Sequence, residues 1–365
     1  MYQVLVVNPG STSTKIALFR EENKMFQRTV DHSMEAINNF PDVLDQLEMR
    51  EKCIGKVLEE EGVDKSRLSA VMGRGGLLPH VKAGGYLVNR DMLDAYFEGK
   101  ASPHAANLGG IIAYDLAKPL GIPAYIYDAV TSDEMDPIAK ITGLPEYERQ
   151  PRAHVLNQKA VARKVAEVKG KKYEEMTAII AHLGGGITIG AHKDGRIVDS
   201  IGDDSGPFSP ERSGSLPLLE VIRMCYKGEY NYMEMVRKIR GMGGVKAYLG
   251  TTDMRKVEEM IEEGNRLAKE VYEAQAYQVA KGIGEMAPVL CCDMDCIILT
   301  GGMAHSKLMA EMITKRVKKL APVEVYPGEC EMEALNAGAL RMLRGEEKAK
   351  DYVLPKEERR REDDC

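Results

Sequence analysis

The sequence predicts a two-domain α/β protein, and three observations predict it. A β-rich strand–loop–strand segment occurs twice, once over residues 4–19 and again over 178–190. The 365 residues are enough for two domains, each with its own core. In the first half, short strand-like runs alternate with longer segments of helical periodicity, the pattern that lays helices on sheets.

The first repeat begins with the apolar run Val4-Leu5-Val6-Val7, too short for an ordinary helix. It turns through Asn8-Pro9-Gly10-Ser11-Thr12-Ser13 and resumes as Thr14-Lys15-Ile16-Ala17-Leu18-Phe19. Residues 43–61 place Val43, Leu44, Leu47, Ile54, Val57 and Leu58 at helical spacing among charges. Strands follow at Ser69–Gly73 and Ala124–Asp128, and the polar stretch Glu146–Arg152, which contains Pro151, reads as a crossover between halves. Helix-like sequence then runs to about Val168. The second repeat, Ala178-Ile179-Ile180-Ala181-His182-Leu183 with Gly184-Gly185-Gly186 and Ile187-Thr188-Ile189-Gly190, comes next. The longest helix is expected from Met254 to about Met286, with Thr252 and Asp253 as N-cap candidates and its apolar set packing on a sheet or a partner subunit. Cys296–Thr300 reads as a buried strand ending in the Gly301-Gly302 turn before another helix, and residues 351–365 read as a charged, solvated tail.

Composition narrows the class. A net charge of −6 gives no reason to expect nucleic acid as a partner. No apolar stretch reaches the roughly 18 residues that span a bilayer, and the N-terminus shows neither a basic n-region nor a long h-region, so neither a membrane nor a secretory route is expected. Seven scattered cysteines fit reduced thiols in a cytoplasm. Cys291, Cys292 and Cys296, with Asp293 and Asp295, match no paired Cys-x-x-Cys metal spacing and read as small residues at the start of a buried strand.

Small residues let backbone N–H groups approach phosphate oxygens closely. The first loop adds the hydroxyls of Ser11, Thr12, Ser13 and Thr14 and the charge of Lys15. It is no Walker A loop, because the glycine before the lysine is missing and no helix follows, and no Gly-x-Gly-x-x-Gly follows a strand. One such loop could be an ordinary tight hairpin. Two, facing one another, could hold a nucleotide polyphosphate between two half-proteins, with Gly301 and Gly302 offering bare backbone to an adenine or ribose. That points to phosphoryl transfer.

Transfer needs cations and orienting groups. Arg74, in Gly73-Arg74-Gly75-Gly76, and Arg212, in Ser209-Pro210-Glu211-Arg212-Ser213-Gly214, are flanked by small residues that would let them reach into a cleft. Either guanidinium could grip a carboxylate or phosphate through two hydrogen bonds, or form a surface salt bridge instead. Asp128 closes a strand, where α/β folds place ligands, or caps a following helix. His104 and His154 sit near helix starts, as catalysts or as structural hydrogen-bonders. No two histidines have the one-helix spacing of a metal pair.

These residues resemble the acetokinase family over almost the whole chain, within the superfamily of sugar kinases, actin and heat-shock ATPases. Val6–Lys15 is similar to its first signature and His182–Gly186 to its second. The resemblance implies two ribonuclease-H-like (actin-like ATPase) domains with an interdomain cleft: residues 1–150 plus 332–350, and 151–331. It implies Asn8 and Glu333, chosen over Glu331, on the magnesium side. Ser11, Ser13, Lys15, His182, Gly184, Gly185 and Gly186 would meet nucleotide phosphates. Asp253, Met254, Arg255, Gly301 and Gly302 would hold the adenosine. Arg74, His104 and Asp128 fall on the acyl-substrate side, and His154 and Arg212 beside the transferring phosphoryl group. Gly185 departs from the asparagine usual in acetate kinases. The Arg152–Arg163 segment, the glycine triplet and Met332–Arg341 are more similar to butyrate kinases.

The implied reaction is reversible: ATP and a short-chain fatty acid, butyrate first, give ADP and an acyl phosphate by direct in-line transfer, in a homo-oligomer of dimers or multiples of dimers. Acetate, propionate or a branched acid as substrate stays open. So does a non-catalytic actin-like ATP switch, which would need no acyl site.

Overall fold

The computed structural model describes residues 1–79, 81–202 and 204–354. Its strands are β1 (Gln3–Pro9), β2 (Ser13–Arg20), β3 (Asn23–Asp31), β4 (Ala70–Arg74), β5 (Gly85–Leu87), β6 (Ala124–Tyr127), β7 (Ala178–Leu183), β8 (Ile187–Lys193), β9 (Arg196–Ile201), β10 (Cys296–Gly301), β11 (Val323–Pro327) and β12 (Lys350–Asp351). The chain forms two compact units, Met1–Asp133 with the chain from Glu331 onward, and Glu134–Cys330.

Each unit has one mixed sheet. The first runs β12-β5-β6-β4-β1-β2-β3 and the second β11-β10-β7-β8-β9. In the first, β1, β2 and β3 form an antiparallel meander, while β4 and β6 extend β1 in parallel. In the second, β7, β8 and β9 form the meander, and β10 and β11 extend β7 in parallel. The repeat in the sequence is therefore a repeat of topology, and the fold is the mixed α/β pair of domains expected.

Burial explains the strand order. Every residue of β1 and of β7 is buried, as a central strand covered on both faces requires. β3 is mostly exposed and carries Lys24 and Arg28, the charged edge that discourages further pairing. Helices cover the sheets: Asn107–Ala117 and Leu47–Glu60 in the first unit, Val155–Val168 and Arg266–Met286 in the second.

Several expectations change. The long helix is two, Met254–Glu262 and Arg266–Met286. Gly264 takes a left-handed φ of 88° between them, and Asn265 caps the second by accepting from Ala268 N. Cys296 is buried in β10, but Cys291 and Cys292 are exposed in a turn with left-handed φ, so only one of the three fills a strand. Residues 134–150 belong to the second unit rather than the first. Asp136 N donates to Val198 O, and Arg149 donates to Ala139 O and Ser200 O. The tail is not wholly solvated, since Lys350 and Asp351 pair with β5 and Tyr352 is buried; residues 355–365 lie outside the described residues. The helix Glu331–Leu343 packs on the first sheet, burying Leu335 and Ala339. Among the described residues no helix is long and apolar enough to cross a membrane.

Candidate active site

In the first unit, Arg74 stands at the end of β4. Its flanking glycines are there for close packing, not for reach. A Cβ on Gly73 would lie 2.0 Å from Gly109 O, one on Gly75 2.7 Å from Ala129 Cα, and one on Gly76 2.1 Å from Asn107 Oδ1. The backbone around Arg74 is thus clamped on the helix Asn107–Ala117. The Arg74 guanidinium pairs with the Glu331 carboxylate, while its buried Nε has no hydrogen-bond partner among the described residues.

Asn8, at the end of β1, donates from Nδ2 to Glu331 Oε2 at 2.8 Å. Burial pushes the Glu331 carboxyl up, but the charge and hydrogen bond of Arg74, the Asn8 bond and the Lys15 charge outweigh it and bring its pKa down to about 2. Glu331 is therefore the carboxylate brought to Asn8. Glu333, preferred in the sequence reading, is exposed two residues further along the helix and pairs with Lys24 at 2.8 Å.

Asp128 is buried and adopts φ 42°. Its Oδ1 accepts from Gly84 N at 2.7 Å and its own N–H donates to Gly84 O, so it fastens β6 to the loop before β5 rather than capping a helix. His104 is exposed and accepts at Nδ1 from Ala106 N. Its loop is tied to that of Arg74 by Asn107, which accepts from Leu77 N and donates to Ser102 O.

The first hairpin loop holds a residue that the sequence reading missed. Arg50 is fully buried on the helix Leu47–Glu60. It donates to Ser13 O and Thr14 Oγ1 at 3.0 Å each, to Ser11 O at 3.3 Å, and to Gln46 Oε1. Thr14 also pairs with His32. Strand alternation therefore turns Thr14 inward, away from Ser13 and Lys15, so it is not a phosphate-facing hydroxyl. The only sequence signal for Arg50 was a charge on the apolar face of a helix.

In the second unit, the loop Gly184–Gly186 is closed by Gly184 N donating to Gly186 O. Ser209 Oγ donates to Gly185 O at 2.6 Å and accepts from Arg212 N, which pins the Arg212 loop to the hairpin. The guanidinium lies against Gly186, where a Cβ would be 2.6 Å from Arg212 Nη1. Gly185 is open, its nearest neighbour Glu211 Oε1 at 3.7 Å. His154 occupies the N-cap position of Val155–Val168 without a side-chain capping bond, and its ring stacks on that of His182, with centroids 3.9 Å apart.

A cavity of about 900 Å³ opens beside this loop. Gly184, Gly185, Asp253, Met254, Arg255 and Gly302 line it. His182, Gly186 and Gly301 do not line it. Gly301 is needed beneath, where a Cβ would meet Leu183 O at 2.5 Å. Asp253 caps its helix and holds Arg255 through two bonds of 2.9 Å; hydrogen bonding to Arg255 is what lowers its pKa to about 2. Lining residues not foreseen include Glu258, Tyr272 and Ser306, joined by Tyr272 OH donating to Glu258 Oε1 and pairing with Ser306 Oγ. They are brought in by two helices and the N-cap of a third, so no local motif marked them.

A model of the acetokinase family matches residues 145–351. The acetate kinase of Porphyromonas gingivalis aligns with 94% of this chain and 100% of its own, at 18% identity and a TM-score of 0.78. A propionate kinase from Francisella tularensis subsp. tularensis SCHU S4 aligns with 93% of this chain and 99% of its own, at 18% identity and a TM-score of 0.73. A ROK hexokinase from Thermus thermophilus aligns with 94% and 99%, at 14% identity and a TM-score of 0.50. At these identities the structural likeness is one of fold: two α/β domains of the type shared by acetate kinases and sugar kinases.

Proposed function

Because this chain belongs to the acetokinase family, we propose that it reversibly phosphorylates a short-chain fatty acid, butyrate first, with ATP. A carboxylate oxygen attacks the γ-phosphorus, the bond from that phosphorus to the β-phosphate oxygen breaks, and acyl phosphate and ADP leave. No covalent enzyme intermediate is involved.

The observation that carries this reading is the cavity in the second unit. Segments far apart in the chain bring the glycine loop, the Asp253–Arg255 helix start and Gly302 around one space of nucleotide size. Gly184 and Gly185 offer backbone to the polyphosphate, with His182 beneath them, and Gly186 leaves room for the guanidinium of Arg212. Arg212 neutralises the charge that spreads over the phosphoryl oxygens, and His154 stands beside it as a hydrogen-bonding partner. In the first unit, Arg74 takes the substrate carboxylate, and its Nε, which has no partner among the described residues, supports that role. His104 and Asp128 shape the acyl side, and Ser11, Ser13 and Lys15 serve the phosphates.

Magnesium fits the oxygen chemistry of Asn8 and Glu331 better than that of Glu333, which is exposed and paired with Lys24. Among the described residues no group of three His, Cys, Asp or Glu forms a metal cage, which suits an ion carried in by nucleotide phosphates. Bound there, it would draw charge off the transferring phosphate. A cytoplasmic homo-oligomer completes the reading. The helices Leu218–Tyr226 and Tyr232–Ile239 expose Leu218, Leu219, Tyr226 and Tyr232, a face suited to a second copy.

The test incubates the protein with ATP, magnesium and acids from acetate to valerate, including isobutyrate, with hydroxylamine to trap acyl phosphate. A hydroxamate signal peaking at butyrate is expected. A peak at acetate, propionate or isobutyrate would keep the reaction and change the acid. No signal with any acid, despite ATP binding, would sink the kinase reading in favour of a nucleotide switch.

A further inference from the structure

A buried file of hydrogen bonds runs to His154 through groups with no part in the proposed chemistry. Its direction follows from counting donors. The Gln158 amide faces Thr188 Oγ1 at 2.9 Å and Thr188 O at 3.3 Å. A carbonyl oxygen only accepts, so that end of the amide is the NH₂ and the other end is the oxygen. The oxygen meets His192 Nε2 at 3.0 Å, so His192 carries its ring proton there. Burial first, with the charges of Lys159 and Arg163, pushes the His192 pKa down to about 3, so the ring is neutral. Its Nδ1 therefore accepts from Tyr173 OH at 2.8 Å.

Thr188 closes the count. Its hydroxyl oxygen already accepts from Gln158 Nε2 and, at 3.2 Å, from the backbone N–H of His154. Both lone pairs are engaged, so its own hydrogen is left to donate, and the remaining neighbour is His154 Nδ1 at 2.8 Å. We infer that Thr188, Gln158, His192 and Tyr173 are positioning residues that fix His154 with its ring proton on Nε2, making it a hydrogen-bond donor to the phosphoryl group rather than a base. The tautomer stands on the hydrogen bonds alone, and the catalytic use rests on the function proposed above.

The stacked ring obeys the same rule. Asn157 Oδ1 accepts from Cys330 N at 3.2 Å, so its NH₂ end donates to His182 Nδ1 at 2.8 Å. His182 therefore also carries its proton on Nε2, as His154 does. Gln158 and His192 are fully buried, and Thr188 and Tyr173 nearly so, so water does not scramble the file.

Two-bond ¹H–¹⁵N spectra of the ¹⁵N-labelled protein read the tautomer directly, with the His154 signals identified by their loss in His154→Gln. Nε2 protonation is expected. Thr188→Val should give a mixture of tautomers and lower kcat at least about tenfold, since a mis-set histidine tautomer can cost as much as ~10⁴. The KM for ATP should hold, and Thr188→Ser should restore spectrum and rate. An Nδ1-protonated His154 in the unmodified protein would overturn the inference, and this arm needs no variant to fold. Thr188→Val with unaltered kcat would also overturn it. If no acid yields acyl phosphate the spectra still decide the tautomer, so failure of the proposed function is told apart from failure of the file.

Discussion

The two hairpin loops occupy the same place in a five-strand order that the two sheets share, yet they are built in opposite ways. The loop between β1 and β2 is held from behind by a buried cation, Arg50, which gathers the carbonyls of Ser11 and Ser13. With those carbonyls turned inward, the loop's outer side is left to hydroxyls and N–H groups. The loop between β7 and β8 is held by neutral bonds, Ser209 to Gly185 and Gly184 to Gly186, and its cation, Arg212, is half-exposed against Gly186. A shared strand order therefore does not carry a shared site. What distinguishes the units is which helix or loop packs against each hairpin and with what charge.

That contrast can be broken experimentally, starting with the largest effect. Arg212→Ala should lower kcat about 10³-fold or more with folding intact, as for a transition-state arginine; near-normal turnover in steady-state kinetics would take the half-exposed cation out of the mechanism. Gly73→Ala should cost about 3 kcal/mol in urea unfolding, because the methyl meets Gly109 O at 2.0 Å on a clamped backbone. A wild-type midpoint would mean that the β4 backbone yields and that Arg74 is not held as described.

The third test is pH. Glu331 has a folded pKa of about 2 against an ordinary value of 4.5. Its contribution to stability, about 3 kcal/mol, is complete above the unfolded pKa and is lost as pH falls from about 5 towards 2. Unfolding free energies measured across that range should fall less steeply in Glu331→Gln; an unchanged slope would show that the pair with Arg74 contributes little. The smallest effect belongs to the second loop. Gly185→Ala should change stability by less than about 0.5 kcal/mol, because the nearest atom lies 3.7 Å away. A large loss there would erase the contrast with Gly73.

Much of the fold was legible because its signals are local. The apolar runs at 4–7 and 178–183 and the small-residue turns after them announced the two hairpins, and burial on both faces made those runs continuous. The helix break at Gly264 and Asn265 was local too, a left-handed glycine before a capping asparagine, and a periodicity reading across it passed over that signal. Arg74 and Arg212 stood out by their glycine and serine neighbours. The reason given, freedom to reach, was wrong for Arg74, whose glycines are clamped contacts.

The sequence by itself determined the two sheets, their repeated hairpins and the residue types that place the chain among the acetokinases, because strand period, turn chemistry and glycine spacing act over a few residues. Tertiary structure alone decided which groups meet. It brought Glu331 rather than Glu333 to Asn8, a choice set by helical phase across more than three hundred residues of chain. It put Arg50 behind the first loop, Tyr272 into the cavity and Thr188 on His154. Side chains from distant elements pair only where packing sets distance and direction, and a hydrogen bond tolerates errors of only a few tenths of an ångström, far finer than any periodicity can specify.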